Sequence, residues 1–133
     1  MADNEIITTI TVPTLAANQR AEYAKMAHPA SFYSVVGGAV VVTMDGDRCT
    51  AASVAVGGLT PRPVKAPAVE AALTGMQLTA DNIATATAHL GEDITAAGVD
   101  IIGDIYASAG YRSGVAPVEV KHALMHAIGL AHH

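Results

Sequence analysis

Two largely apolar runs joined by Asp45-Gly46-Asp47 constrain this chain more than any other feature. Val35 to Met44 is apolar almost throughout, which reads as a strand lying centrally in a sheet. Asp45-Gly46-Asp47 is a hairpin signal, with Gly46 supplying the positive φ that a tight turn needs. The return strand, Arg48 to Val56, alternates only partly: Cys49, Ala51, Ser53 and Ala55 on one face, Thr50, Ala52, Val54 and Val56 on the other. An antiparallel pair follows from local signals alone. Ile6-Ile7-Thr8-Thr9-Ile10-Thr11-Val12 is also rich in β-branched residues, is closed by Pro13, and reads as a further strand of the same antiparallel sheet.

Beyond the hairpin the pattern changes. Gly57-Gly58-Leu59-Thr60-Pro61-Arg62-Pro63 cannot be regular structure, since two glycines allow close backbone packing and two prolines stiffen the exit from the sheet. Pro67 to Leu73 reads as a helix with Pro in its first turn and Gly75 as a stop. Thr79 is placed to cap a helix from Ala80 to Ala88, with Asp81 favourable in the first turn. Gly98 to Ile105 reads as a loop, and Ser108 or Ser113 starts a last helix running through Val118, Leu124 and Ile128. Strands first and helices afterwards point to an α+β fold, an antiparallel sheet of three to four strands with about three helices packed on one face.

Composition narrows the function. The 133 residues suit one domain that buries roughly two-thirds of its unfolded surface. Half of them are apolar, yet there is one Phe, four Tyr and no Trp, so the core must be built from Val, Ile, Leu, Met and Ala. Pockets for flat ligands usually carry aromatic walls, which makes the chain a poor cofactor binder by itself. A net charge of −5 with no basic stripe argues against nucleic acid. The single Cys49 excludes an internal disulfide and suits a reducing cytoplasm. No signal-peptide pattern and no membrane-length apolar run are present. Neither GxGxxG nor a Walker sequence occurs, so Gly37-Gly38 and Gly57-Gly58 read as strand packing and turning.

Four segments, in order, carry a resemblance. They are Tyr23-Ala24-Lys25-Met26-Ala27-His28-Pro29-Ala30-Ser31-Phe32-Tyr33-Ser34-Val35-Val36, the hairpin Ala39 to Gly46, Val56 to Ala66 followed by Glu70 to Gly75, and Asp104-Ile105-Tyr106-Ala107-Ser108-Ala109-Gly110-Tyr111-Arg112 with a helix ending in Ala123-Leu124. Together, over about residues 5 to 128, they resemble the C-terminal domain of the FAD-binding (medium) subunit of molybdenum hydroxylases of the carbon monoxide dehydrogenase and xanthine dehydrogenase family. The resemblance implies a sheet of three or four strands packed against three helices.

It also implies a function within a larger flavin-dependent oxidoreductase. In this family the subunit carries an N-terminal FAD domain, absent from this chain, and passes electrons from a molybdenum cofactor through iron–sulfur clusters to FAD. The abrupt opening into a strand suits a fragment of such a subunit. FAD is then expected in the intact subunit, with none bound tightly by the isolated chain. The expected partners are the FAD-binding domain of the same subunit, the molybdenum-cofactor large subunit, which selects the substrate, and the iron–sulfur small subunit. The segment Tyr23 to Phe32 corresponds to the stretch nearest the flavin, with Lys25, Tyr23 and Ser31 as candidate flavin-side contacts. Many relatives have Arg or Asp where this chain has His28, Ala30 and Phe32.

Each candidate has a plainer reading. Lys25 also suits a solvated lysine at the end of a strand or helix, and Ser31 and Tyr33 suit loop hydrogen bonding. Asp104 and Arg112 suit an ion pair that orders the loop before the last helix. No catalytic constellation is visible: Ser108 has no His or acidic partner placed to activate it. His122 and His126 share a helical face at a zinc-binding spacing but lack a third ligand, so surface histidines are expected there and at His89, and no metal. Cys49 within a strand reads as a small buried hydrophobe. The alternative to a flavoprotein domain is a non-enzymatic interaction or oligomerisation domain using a sheet edge or the Ala-rich helices.

Overall fold

The computed structural model describes residues 3–130. Four antiparallel strands stand in the order of the chain: β1 (Gln19–Ala27), β2 (Ser34–Asp45), β3 (Arg48–Gly57) and β4 (Val64–Lys65). Four helices follow, α1 (Pro67–Leu73), α2 (Ala80–Thr87), α3 (Leu90–Ala96) and α4 (Ala109–Ala127), so the fold is α+β as expected. β2 and β3 are the hairpin read from the sequence, turning at Gly46 with φ 61°. α4 packs on β2 and β1, α1 packs on β3, and the helices cover one face of the sheet.

The expected strand Ile6–Val12 is a correction. It forms no strand and has no strand partner among the described residues; Ile6, Ile7, Ile10 and Val12 are 66–86% exposed. The outer strand is Gln19–Ala27 instead. Its sequence, rich in Ala with Gln, Arg, Glu and Lys, has little intrinsic β preference. It becomes a strand through pairing with β2 and through burial of Ala24 against the helical layer. α3 was also not distinguished in the sequence; only Ala88 and His89 separate it from α2, and both are αR, which accounts for a count of four helices where about three were expected.

Two bulges set the details. In the β2–β3 ladder Thr43 pairs with Ala51 but Met44 pairs with Cys49, so Thr50 is the extra residue. An extra residue reverses which face the following side chains take. Cys49 therefore turns inward with Val54 and Val56, fully buried, rather than outward with Ala51 and Ser53. Burial pushes its thiol up from the ordinary value, against a hydrogen bond that it donates to the Ala51 carbonyl. In the β1–β2 ladder Val35 is the extra residue, between the pairs Met26–Val36 and Ala27–Ser34.

The core lies between sheet and helices: Val36, Val40, Val42, Val54 and Val56 from the sheet, Leu73, Ile83, Leu90, Val120 and Leu124 from the helices. Gly38 lets α4 approach the sheet, since a Cβ there would stand 2.9 Å from the Val120 Cα. Gly58, at φ 77°, would place a Cβ 2.5 Å from the Val35 carbonyl oxygen. Both glycine pairs thus serve packing and turning, as read. Thr79 and Ser108 cap α2 and α4, their hydroxyls accepting from the Asn82 and Tyr111 N–H groups. α1 is capped from a distance: the buried Asp93 carboxylate on α3 accepts from Ala68 N at 2.8 Å and Val69 N at 3.2 Å.

Candidate functional site

The face of the sheet opposite the helices is open. β1 alternates, so Ala24 faces the core while Tyr23 and Lys25 are exposed on the other side. Their ladder partners are Ala39 and Gly37, and Ser53 and Ala55 continue the same face on β3. A shallow hollow of 510 Å³ lies here, lined by Tyr23, Ala39, Val41, Ser53 and Ala55 with Lys65 at its rim. Lys65 is itself held, donating to Ser53 Oγ at 2.7 Å and pairing with Glu70 at 2.6 Å. Glu70 also accepts from the Val54 N–H, which finishes the edge of β3 where the two-residue β4 stops short. Desolvation raises the Glu70 carboxyl, but the Lys65 and Val54 hydrogen bonds outweigh it and hold it below the ordinary carboxylate value.

The open face ends at the β1–β2 connection, residues 28–33, and this end gathers the aromatic side chains. All five aromatic residues of the chain are exposed: Tyr23, Phe32, Tyr33, Tyr106 and Tyr111. Tyr23 Oη and Ser34 Oγ hydrogen-bond at 2.8 Å across the start of the hairpin. Lys25 Nζ donates to the Phe32 carbonyl at 2.9 Å and lies 5.5 Å from the Phe32 ring centre, within cation–π range. Phe32 has φ 61°, an unfavourable region for a bulky residue, and is the one described non-glycine residue with positive φ. The loop holds it there: Phe32 N donates to the His28 carbonyl, His28 N to the Tyr33 carbonyl, and His28 Nδ1 accepts from Ala30 N and Ser31 N. Ser31 Oγ accepts from Tyr33 N at 3.4 Å.

A second loop joins from far along the chain. The His28 and Tyr106 rings stand 4.2 Å apart, and Tyr106 and Tyr111 line a cavity with Met26 and Ser108. Arg112 anchors this loop. Its buried guanidinium donates to Val35 O at 2.5 Å, Gly58 O at 2.7 Å, Ala107 O at 3.3 Å and Asp104 Oδ2 at 2.6 Å. The Val35 bulge turns a carbonyl out of the ladder, and Arg112 is the group that takes it. Asp104 Oδ1 accepts from Tyr106 N and Ala107 N, and those bonds, with Arg112, hold its carboxyl below the ordinary value. The expected Asp104–Arg112 pair is present, but it does more than order one loop.

The structure thus brings Tyr23, Lys25 and Ser31 to one end of the domain. Tyr23 and Lys25 share the open face, and Ser31 lies in the adjoining loop. Sequence reading missed Tyr106 and Tyr111 as members of this end, and only the fold brings them to Met26 and His28. His122 lies on α4 with Nδ1 3.8 Å from Glu119, and His89 pairs with Glu92 at 2.9 Å. Among the described residues no three His, Cys, Asp or Glu side chains cluster as a metal site. No helix among them is long and apolar enough to cross a membrane.

Fold and site define a domain of the kind found in molybdenum-hydroxylase flavoproteins. Residues 21–127 match the model of the CO dehydrogenase flavoprotein C-terminal domain, and the chain belongs to that family. Three solved structures agree. Carbon monoxide dehydrogenase from Hydrogenophaga pseudoflava, in a form lacking the Mo-pyranopterin moiety of the molybdenum cofactor, matches at TM-score 0.76 and 26% identity, covering 91% of this chain and 40% of that one. Reconstituted CO dehydrogenase from Oligotropha carboxidovorans matches at TM-score 0.75 and 27% identity, covering 90% and 40%. Quinoline 2-oxidoreductase from Pseudomonas putida 86 matches at TM-score 0.73 and 25% identity, covering 86% and 39%. The chain therefore spans about two-fifths of the length of the solved chains it resembles. No curated protein matches it in sequence.

The family implies FAD, and the residues present fit only part of that group. A diphosphate needs unpaired backbone N–H groups, typically at a helix N-terminus. Here Asp93 takes the first N–H groups of α1, Thr79 takes one from α2 and Ser108 one from α4. A carboxylate already sits where an anion would bind α1. The aromatic end, with an exposed ammonium beside exposed rings, is compatible with one side of a flat ring held by another domain.

Proposed function

We propose that the chain acts as the C-terminal domain of the flavoprotein subunit of a molybdenum-containing hydroxylase. It packs on the FAD-binding domain and supports electron transfer from iron–sulfur clusters to FAD. The molybdenum-cofactor subunit and the iron–sulfur subunit complete that assembly. The observation that carries this reading is the exposed aromatic end. In a family whose members are flavoprotein domains, five exposed rings concentrated around residues 23–33 and 106–111 are suited to contact another domain. Exposed Tyr and Phe are the side chains whose burial most stabilises an interface.

Within that interface Lys25, Tyr23 and Ser31 are the flavin-side residues. An ammonium carries three donors, and Phe32 O takes one of Lys25's, so others can face a ring that accumulates negative charge on reduction. The domain contributes one wall and one charge; the diphosphate is held elsewhere, and the isolated chain binds FAD weakly. The test is association. The chain, added to the separately produced FAD-binding domain of its subunit, should bind it and change the visible flavin spectrum. Failure to bind, or binding with an unaltered spectrum, would refute the reading.

A further inference from the structure

The loop 28–33 depends on one imidazole. Pro29 has no N–H, so the loop has five backbone N–H groups to place: those of His28, Ala30, Ser31, Phe32 and Tyr33. His28 N and Phe32 N donate to the Tyr33 and His28 carbonyls, both at 2.8 Å, and Tyr33 N donates to Ser31 Oγ at 3.4 Å. The two that remain, Ala30 N at 3.2 Å and Ser31 N at 3.4 Å, converge on His28 Nδ1. A ring nitrogen that accepts carries no proton, so the neutral imidazole of this arrangement bears its hydrogen on Nε2. Protonation turns Nδ1 into a donor facing two donors, with no lone pair left for either N–H. Histidine is the side chain that makes this change roughly between pH 5 and 8.

What packs on the ring responds differently to protonation. The Tyr106 ring stands 4.2 Å from it, tilted by 53°, and an aromatic face attracts a cation, so the imidazolium keeps this contact. Tyr106 is held independently of His28, because Asp104 takes its N–H and Arg112 takes Asp104. The other titratable or charged groups at this end are Tyr23 and Lys25 on β1, Tyr33 in the same loop, and Tyr111 and Arg112 on α4. Asp104 is the one carboxylate of the set, and it is already engaged by Arg112 and by the Tyr106 and Ala107 N–H groups. We propose that His28 is a positioning residue for Lys25 and makes this loop a pH-sensitive clasp. Neutral, it holds Ala30 and Ser31, and with them the positive φ of Phe32, whose carbonyl anchors the Lys25 ammonium. Protonated, it stays on Tyr106 and releases the loop. The clasp is a property of this chain alone; only its consequence for a flavin rests on the functional reading above.

The experiment is an NMR titration of the full, isotope-labelled chain from about pH 8 to about pH 5. The Ala30 and Ser31 amide protons should move upfield as their hydrogen bonds are lost, with the same midpoint as the His28 ring resonances. Over that range the nuclear Overhauser contact between the Lys25 and Phe32 side chains should disappear, while that between the His28 and Tyr106 rings persists and the amides of β2 and β3 stay in place. His28→Asn keeps a side-chain acceptor of the kind that closes an Asx turn and does not titrate, so its loop should hold at both ends of the range. His28→Phe keeps a ring for Tyr106 and has no acceptor, so its loop should be released at every pH. Three results each overturn the clasp: Ala30 and Ser31 amides that stay still while His28 titrates, amides that move equally in His28→Asn, or a Lys25–Phe32 contact that survives in His28→Phe. None of them touches the flavoprotein reading, which stands or falls on association with the FAD-binding domain.

Discussion

Replacing Arg112 by Met should be the most damaging single change to the fold that leaves the core apolar. The side chain is 7% exposed and its guanidinium serves four acceptors: the Val35, Gly58 and Ala107 carbonyls and Asp104. Methionine keeps an apolar stem of similar reach and removes every donor. A buried carbonyl left without a donor costs about 1–3 kcal/mol. The Val35 and Gly58 carbonyls, with the shortest of the carbonyl bonds, are the two most exposed to that loss. The sum, about 2–6 kcal/mol, exceeds the roughly 1 kcal/mol typical of point mutations and is a large part of the total stability of a small domain. Urea unfolding followed by far-ultraviolet circular dichroism measures it. With a slope of about 2 kcal/mol per molar, the midpoint should fall by about 2 M. Arg112→Lys should lie between, since one ammonium cannot reach acceptors spread around a planar fork. A fall of less than about 0.5 M for the Met variant would refute the claim that Arg112 ties the Val35 bulge to the Asp104 loop.

Three further outcomes follow from the same structure. Asp104 is held below the ordinary carboxylate value, so its contribution is complete above the unfolded-state value and is lost as pH falls through the folded-state value; Asp104→Asn should flatten the acid limb of stability against pH, and an unchanged limb would refute the assignment. Asp93→Ala removes the carboxylate that caps α1 and should cost about 1–3 kcal/mol by chemical denaturation, with a cost under about 0.5 kcal/mol contradicting the cap. Lys25→Met, in the complex with the FAD-binding domain, should make the flavin harder to reduce by about 1 kcal/mol because a positive charge beside the ring is lost. Redox titration reads that change; an unaltered potential would return Lys25 to the role of bracing Phe32.

The legible parts of the fold were those whose signals are local. Asp45-Gly46-Asp47 marks its own turn, and Thr79 and Ser108 cap helices that begin one residue later. The β1 strand was illegible because Gln19–Ala27 is made of residues indifferent to or poor in strands; its conformation is imposed by the β2 ladder. Ile6–Val12 failed in the opposite sense, with strong propensity and no strand partner among the described residues. The Asp93 cap joins residues 25 positions apart, and the inward turn of Cys49 depends on one unpaired Thr50, so neither leaves a trace in periodicity. Within the candidate site, residues 23–33 were put forward by family resemblance, and the Asp104–Arg112 pair, which the structure contains, by chemistry. Tyr106 and Tyr111 were not found, because only the packing of α4 and its preceding loop carries them to Met26 and His28.

Scarcity of aromatics first suggested a chain poorly equipped to bind anything flat. Their placement changes the force of that argument. The core closes without a single ring, using Val, Leu, Ile and Ala, and no buried side-chain nitrogen or oxygen among the described residues lacks a partner. A fold that needs no aromatic inside and keeps all five outside, at one end, is spending none of its ring surface on its own stability. A Tyr or Phe can bury 150–250 Å², roughly, so even partial coverage of this end would rival the contribution of several aliphatic contacts. Placing them in water costs solubility unless a partner covers them, and the same holds for Ile6, Ile10 and Val12. The described core thus closes without any ring, and the aromatic side chains are left at the surface. That arrangement suits the contact with another protein domain proposed above.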